Sequence, residues 1–340
     1  MNSVFLDILQ GKPTPRPAVW FMRQAGRVLP DYNRMRAHFS FADILADPNL
    51  SAEVTLMPVE ALGVDAAILF SDILVVPQAL GMSLSFTDHG PEFSAPLLEM
   101  SNPCKALKAD TSGLETVYQT VRNVKKQAPN VPLIGFAGAP HTLLCYMLQG
   151  SARNNFTDAL KYMCKNPGKM KKLMEAVTEI IIEFAMGQID AGIDAFQLFD
   201  THAGMLPEHV WFRDSRVALE RISTAVRSRG IPLIIFPKGI TAVCSMLEGI
   251  ADVVSVDWKL PLEIYRNIIP ASVGIQGNMD PRIMCCAPRL VGKEILNAVD
   301  FFMKHPRYIF NLGHGLFPDS QLENVKMAVD LIKGINAYGE

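Results

Sequence analysis

Arg23 and Arg27 stand four residues apart, around Gln24-Ala25-Gly26 and just after the apolar run Val19-Trp20-Phe21-Met22. A loop or short helical turn of that spacing aims both guanidiniums into one pocket, and two such forks suit carboxylates or phosphates. A pair of structural surface arginines would have the same spacing. Asp72 follows Leu69-Phe70-Ser71 and precedes Ile73-Leu74-Val75-Val76, one of the most apolar stretches of the chain. Desolvation there raises a carboxyl pKa unless donors hold the ion; a helix N-cap or a loop hydrogen bond is the plainer use of a Ser-Asp after a strand. His314, bracketed by Gly313 and Gly315, has a backbone free to approach a ligand, and it is either a hydrogen-bond partner for a substrate oxygen or a structural loop histidine. Tyr146 is either a core aromatic or a phenol facing the site. Asp200-Thr201-His202 invites a metal reading, which is not adopted.

These residues need elements to hold them. Short apolar runs occur at Ala18 to Phe21, Ala66 to Phe70, Pro132 to Phe136, Ala195 to Phe199, Pro232 to Phe236, Val253 to Val256, Ser272 to Ile275 and Tyr308 to Leu312. Between them lie helical patterns, such as Leu114, Val117, Val121 and Val124, or Met170, Leu173, Met174, Val177, Ile181 and Phe184. Asn166-Pro167 predicts a capped helix start, Ala191-Gly192 a stop, and Ser320 with Glu323 a capping box. Eight uninterrupted strands alternating with helices predict a (β/α)8 TIM barrel, in one domain spanning residues 1–340, with its active site at the C-terminal ends of the strands. Every singled-out residue follows such a run, apart from Tyr146 on the helix after the third.

Composition narrows the chemistry. The chain has 340 residues, 32 Lys plus Arg against 34 Asp plus Glu, and a net charge of −2. Its interspersed charges exclude the basic patch of a nucleic-acid binder, and its apolar runs are too short to span a membrane. With 49% hydrophobic and 19% charged residues there is ample material for a large core. The beginning MNSVFLDILQGK lacks the pattern of a secretory or organellar leader, so the expected location is cytoplasmic. Six cysteines without CxxC spacing, Cys285 and Cys286 among them, suggest neither a disulfide framework nor a zinc ribbon. Nucleotide-binding glycine loops, GxSxG and HExxH are missing, which disfavours nucleotide, serine-hydrolase and zincin chemistry.

The segments Arg16-Pro17-Ala18-Val19-Trp20-Phe21-Met22-Arg23-Gln24-Ala25-Gly26-Arg27, Ala67-Ile68-Leu69-Phe70-Ser71-Asp72-Ile73-Leu74, Gly135-Phe136-Ala137-Gly138-Ala139-Pro140, Gln276-Gly277-Asn278-Met279-Asp280-Pro281 and Asn311-Leu312-Gly313-His314-Gly315 together resemble the uroporphyrinogen decarboxylase family. The likeness runs from about Arg16 to the last helix. It implies a cofactor-free and metal-free TIM-barrel enzyme, usually a homodimer, that converts the four acetate side chains of uroporphyrinogen III to methyls and yields coproporphyrinogen III. Carried over residue by residue, it implies that Arg23 and Arg27 hold substrate carboxylates and that Asp72 accepts the pyrrole N–H groups. The backbone of Gln24, Ala25 and Gly26 would contribute, and Tyr146, Thr201 and His314 would complete the pocket. Two departures are visible: Val28 stands where the family usually has tyrosine, and His141 where it commonly has an aromatic. Corrinoid-dependent methyltransferases on a related barrel hold zinc with a His-x-Cys pair, and no histidine here is followed two residues later by cysteine. A tetrapyrrole carrier without turnover is the other alternative, against which the retained Asp72 speaks.

Overall fold

A computed structural model describes residues 3–87 and 90–335. Its strands, in chain order, are β1 (Ala18–Val19), β2 (Ala67–Ile68), β3 (Leu84–Thr87), β4 (Gly90–Phe93), β5 (Leu133–Gly138), β6 (Ala195–Asp200), β7 (Leu233–Pro237), β8 (Val253–Ser255), β9 (Gly274–Met279) and β10 (Tyr308–Leu312). Eight of them form one sheet in the order β1-β10-β9-β8-β7-β6-β5-β2, with every pairing parallel. All eight apolar runs of the sequence supply these strands. The strands β5, β6, β7 and β10 are buried along their whole length, because helices cover one face and the barrel interior the other. That is why they read as continuous hydrophobic runs. Inside, a polar layer forms around Gln276, whose amide donates to Gln197 and Ser255 and whose oxygen takes the Trp20 indole N–H at 3.0 Å.

The ends of the sheet, β1 and β2, are two residues long and meet through side chains as much as backbone. Asp65 N–H donates to the Val19 carbonyl at 2.8 Å, and the Asp65 carboxylate takes the Val19 N–H and a two-pronged grip from Arg16 at 2.6 and 2.8 Å. Gln24 completes this seam: its oxygen takes the Phe21 N–H and its amide donates to the Ala66 carbonyl, both at 3.0 Å. The seam closes the barrel.

The helical patterns fold as helices Glu115–Gln127 and Pro167–Ala191, and Gly192 ends the latter with φ of +116°. Two expected caps form differently. Asn166 precedes its helix, yet its side chain donates back to the Tyr162 carbonyl at 3.0 Å instead of capping forward. Ser320 makes no capping box either: its hydroxyl accepts the Phe317 N–H at 3.1 Å, and the helix Leu322–Lys333 starts at Gln321. The N-cap position falls at Gln321, one residue past Ser320. The antiparallel hairpin of β3 and β4, outside the barrel, is an addition that the periodicity does not announce. Among the described residues no helix is long and apolar enough to cross a membrane.

Candidate active site

Beyond β1 the chain leaves the sheet and is pinned from both sides. Asn311 takes the Met22 N–H at 3.0 Å and Leu316 N–H donates to the Met22 carbonyl at 2.9 Å. Arg23 follows with φ of +63°, a left-handed conformation that costs a non-glycine residue free energy and persists only where its surroundings impose it. The bonds of the buried Gln24 impose it here. The Arg23 side chain lies across Gly315: a Cβ there would collide with Cγ, Cδ and Nε of the arginine. A Cβ at Gly313 would strike the Trp258 backbone N at 2.6 Å. Both glycines therefore make room, one for Arg23 and one for the loop after β8.

After β2 the chain enters the short turn that presents Asp72. One carboxyl oxygen accepts the Leu74 N–H at 2.8 Å, the loop bond anticipated as the plainer use. The carboxylate nevertheless lines the cavity as well. Burial raises its pKa above 3.8, opposed by the Leu74 N–H and by the Arg23 charge. Tyr146 comes from the helix Pro140–Gln149 and packs edge-on against Phe156 at 4.9 Å, with its phenol pKa raised first by burial and then by Asp72.

His314 sits beyond β10 with its ring 6.2 Å from Phe236 and stacked at 6.5 Å on Trp258. Burial pushes its pKa down to about 3, helped by the charges of Lys238 and Arg23. The imidazole is thus neutral at physiological pH, a hydrogen-bonding group and not a cation. Lys238 follows β7, and its ammonium stands 5.8 Å from the centre of the Trp258 ring.

The C-terminal ends of the strands enclose a cavity of about 570 Å³. Arg23, Ala25, Gly26, Arg27, Asp72, Tyr146, Thr201 and His314 all line it, and so does Val28. Gln24 does not: its side chain is wholly buried in the seam behind the loop. The remaining wall is apolar and includes Phe41, Phe70, Phe136, Phe199 and Phe317. Sequence reasoning did not single out these residues, although Phe70, Phe136 and Phe199 end apolar runs. His141 is buried away from this cavity and lines another of about 440 Å³ between the outer helices. Asp200 ends β6 and the backbone turns after it, so its carboxylate meets Thr142 and Trp211 whereas the His202 ring packs on Phe156. Among the described residues no three His, Cys, Asp or Glu side chains gather as a metal-binding group. The six cysteines are unpaired thiols.

The arrangement is a deep, mostly apolar bowl with one carboxylate on its wall and two arginines at its edge, both exposed. It fits a large ligand with apolar faces, peripheral anions and N–H donors. A profile of the family described as uroporphyrinogen decarboxylase (URO-D) matches residues 1–335. Uroporphyrinogen decarboxylase of Sulfurimonas denitrificans is 40% identical over 337 residues, covering 96% of both chains. That of Campylobacter concisus is 39% identical, over 95% of this chain and 96% of its own. Among solved structures, a methyltransferase from Methanosarcina mazei superposes with a TM-score of 0.75 over 97% of this chain and 98% of its own, at 18% identity, a likeness of fold.

Proposed function

The chain belongs to the uroporphyrinogen decarboxylase family, and from that premise we propose that it decarboxylates the acetate side chains of uroporphyrinogen III to give coproporphyrinogen III in the cavity around Asp72. The observation that carries this reading is the position of a single carboxylate, Asp72, in an apolar bowl with Arg23 and Arg27 on the same cavity. A porphyrinogen is such a ligand: apolar faces, pyrrole N–H donors at its centre and carboxylates around its rim.

Loss of CO2 from a pyrrole acetate leaves an electron pair that must go somewhere. Protonation of the pyrrole carbon makes the ring a cation that receives the pair; a proton then added to the exocyclic carbon completes the methyl group, and the proton first placed on the ring carbon leaves to restore the neutral pyrrole. In this reading Asp72 accepts the central N–H groups and stabilises the cationic ring. At a separation of about 4 Å and an effective dielectric of about 20, the attraction is on the order of 4 kcal/mol, roughly a thousandfold in rate. The bowl contributes by excluding water, since the same charges would be screened in bulk solvent. The raised pKa of the free Asp72 carboxyl fits this use, because the cation formed on the ring supplies a countercharge beside it. Arg23 and Arg27 grip rim carboxylates, the backbone at Gln24, Ala25 and Gly26 offers its polar groups, and Tyr146, Thr201 and neutral His314 fix the ring by hydrogen bonds. An arginine is a poor general acid unless strongly perturbed, and the role of first proton donor stays open between an arginine and a bound water.

A single barrel domain, a homodimer and a cytoplasmic location belong to the same reading. The test is anaerobic incubation of the purified protein with uroporphyrinogen III and EDTA, without added cofactor, followed by chromatography of the oxidised products. Stepwise loss of carboxyl groups down to coproporphyrin is expected. Intact substrate that nevertheless binds would replace the reading by a carrier function.

A further inference from the structure

Asp200 has no part in the chemistry above, yet it is wholly buried at the end of β6, directly before Thr201 of the cavity wall. Both its oxygens are held by neutral donors at short range. The Thr142 hydroxyl donates to Oδ1 at 2.5 Å and the Trp211 indole N–H to Oδ2 at 2.6 Å. The two donors come from different helices, Pro140–Gln149 and Glu208–Ser228. Thr142 then passes the connection on: its oxygen accepts the His202 N–H at 3.0 Å. Tyr146 stands four residues after Thr142 on the same helix, about one turn along the same face. A buried carboxyl whose two oxygens meet only neutral donors is an expensive way to stabilise a fold, but its two short bonds fix direction well.

We propose that Asp200 is a positioning residue of the site: through Thr142 it locks the helix that presents Tyr146 to the loop that presents Thr201, and so sets where both meet the substrate. The inference rests on the decarboxylase reading, and its test separates the two. Thr142→Val removes the hydroxyl at nearly constant volume, Thr142→Ser restores it, and Asp200→Asn presents an amide N–H to one of two donors. Each is assayed for KM and kcat with uroporphyrinogen III and for amide hydrogen exchange at His202.

Misplacement of the wall raises KM, whereas a mere loss of folded protein lowers apparent kcat at unchanged KM. The expected result is a KM about tenfold higher in Thr142→Val, faster exchange at His202, and recovery of both in Thr142→Ser. Asp200→Asn should raise KM in the same direction, and it decides the matter if Thr142→Val does not fold. Unchanged KM in the folded variants overturns the inference, even if His202 exchange quickens. No turnover by the unmodified protein would sink the functional reading instead; the tie then stands or falls on whether Thr142→Val quickens exchange at His202 and Thr142→Ser slows it again.

Discussion

Asp72 is held between burial, which favours the neutral acid, and Leu74 N–H with Arg23, which favour the ion; burial prevails and the pKa rises. If the ionised form is the active one, kcat/KM falls as pH drops through that raised pKa, so the acid limb lies above the ordinary value of 3.8. Asp72→Asn keeps the shape and loses the charge. It should lower kcat by roughly a thousandfold and remove this limb, which a pH–rate profile from about pH 4 to 9 reads directly. Near-normal turnover would sink the electrostatic role. His314 adds no limb near pH 6.5, because its own titration lies at about 3. Gly315 is the second residue worth changing. An alanine there pushes against the Arg23 stem, so Gly315→Ala should imitate Arg23→Ala, weakening binding of the macrocycle roughly tenfold or more with little loss of thermal stability. Fluorescence titration with uroporphyrin compares the two, and normal affinity in both would remove the clamp.

Among the elements, the seam between β1 and β2 is the part whose composition was readable and whose purpose was not. The family likeness implies a backbone contact at Gln24; what the spacing does not announce is its side-chain amide, which joins Phe21 to Ala66. One-dimensional spacing cannot tell an inward from an outward side chain in an irregular loop. Gln24→Leu should therefore cost about 3 kcal/mol, from two buried backbone groups left without partners, measured as a lowered urea midpoint; a change within about 0.5 kcal/mol would contradict this. The eight strands were legible because burial on both faces writes an unbroken apolar run, as at Leu233–Pro237. The hairpin was not, since residues such as Ser85 and Phe86 are exposed and no buried face imposes a period. Ser320 failed as a cap for a related reason: the motif fixes a spacing, and a competing donor at Phe317 took the hydroxyl. The cavity's charged residues were visible by type and by their place after apolar runs. Its aromatic wall was hidden, because Phe136 or Phe199 in a strand looks the same whether it faces core or substrate.

For the molecule as a whole, buried and half-buried histidines tie stability to pH, His141, His202 and His314 among them. Burial lowers the pKa of His141, brings His202 to about 4 and His314 to about 3, against 6.5 in the unfolded chain. The unfolded chain thus takes up protons below about pH 6.5 that the folded one refuses. Their contribution is complete above that pH and is lost progressively as pH falls toward 4. Asp72 acts in the opposite sense, between 3.8 and its raised value. Urea midpoints should therefore drop between about pH 7.5 and pH 5, and His314→Asn should flatten the slope. A midpoint that is flat or rises on acidification would contradict the neutral-histidine description.

Arg23 and Asp72 leave the barrel from opposite sides of the seam, one after β1 and the other after β2. Seven of the eight junctions in the ring are strand ladders, and this one is stitched largely by Asp65, Arg16 and Gln24. A hoop with one stitched joint concentrates its give at that joint. Thermal breathing of the barrel is then felt at the mouth chiefly as a change in the gap between clamp and carboxylate. A macrocycle that touches both sides acts as the missing rung, so occupancy should stiffen the scaffold far below the ligand, down to the first residues of the two shortest strands.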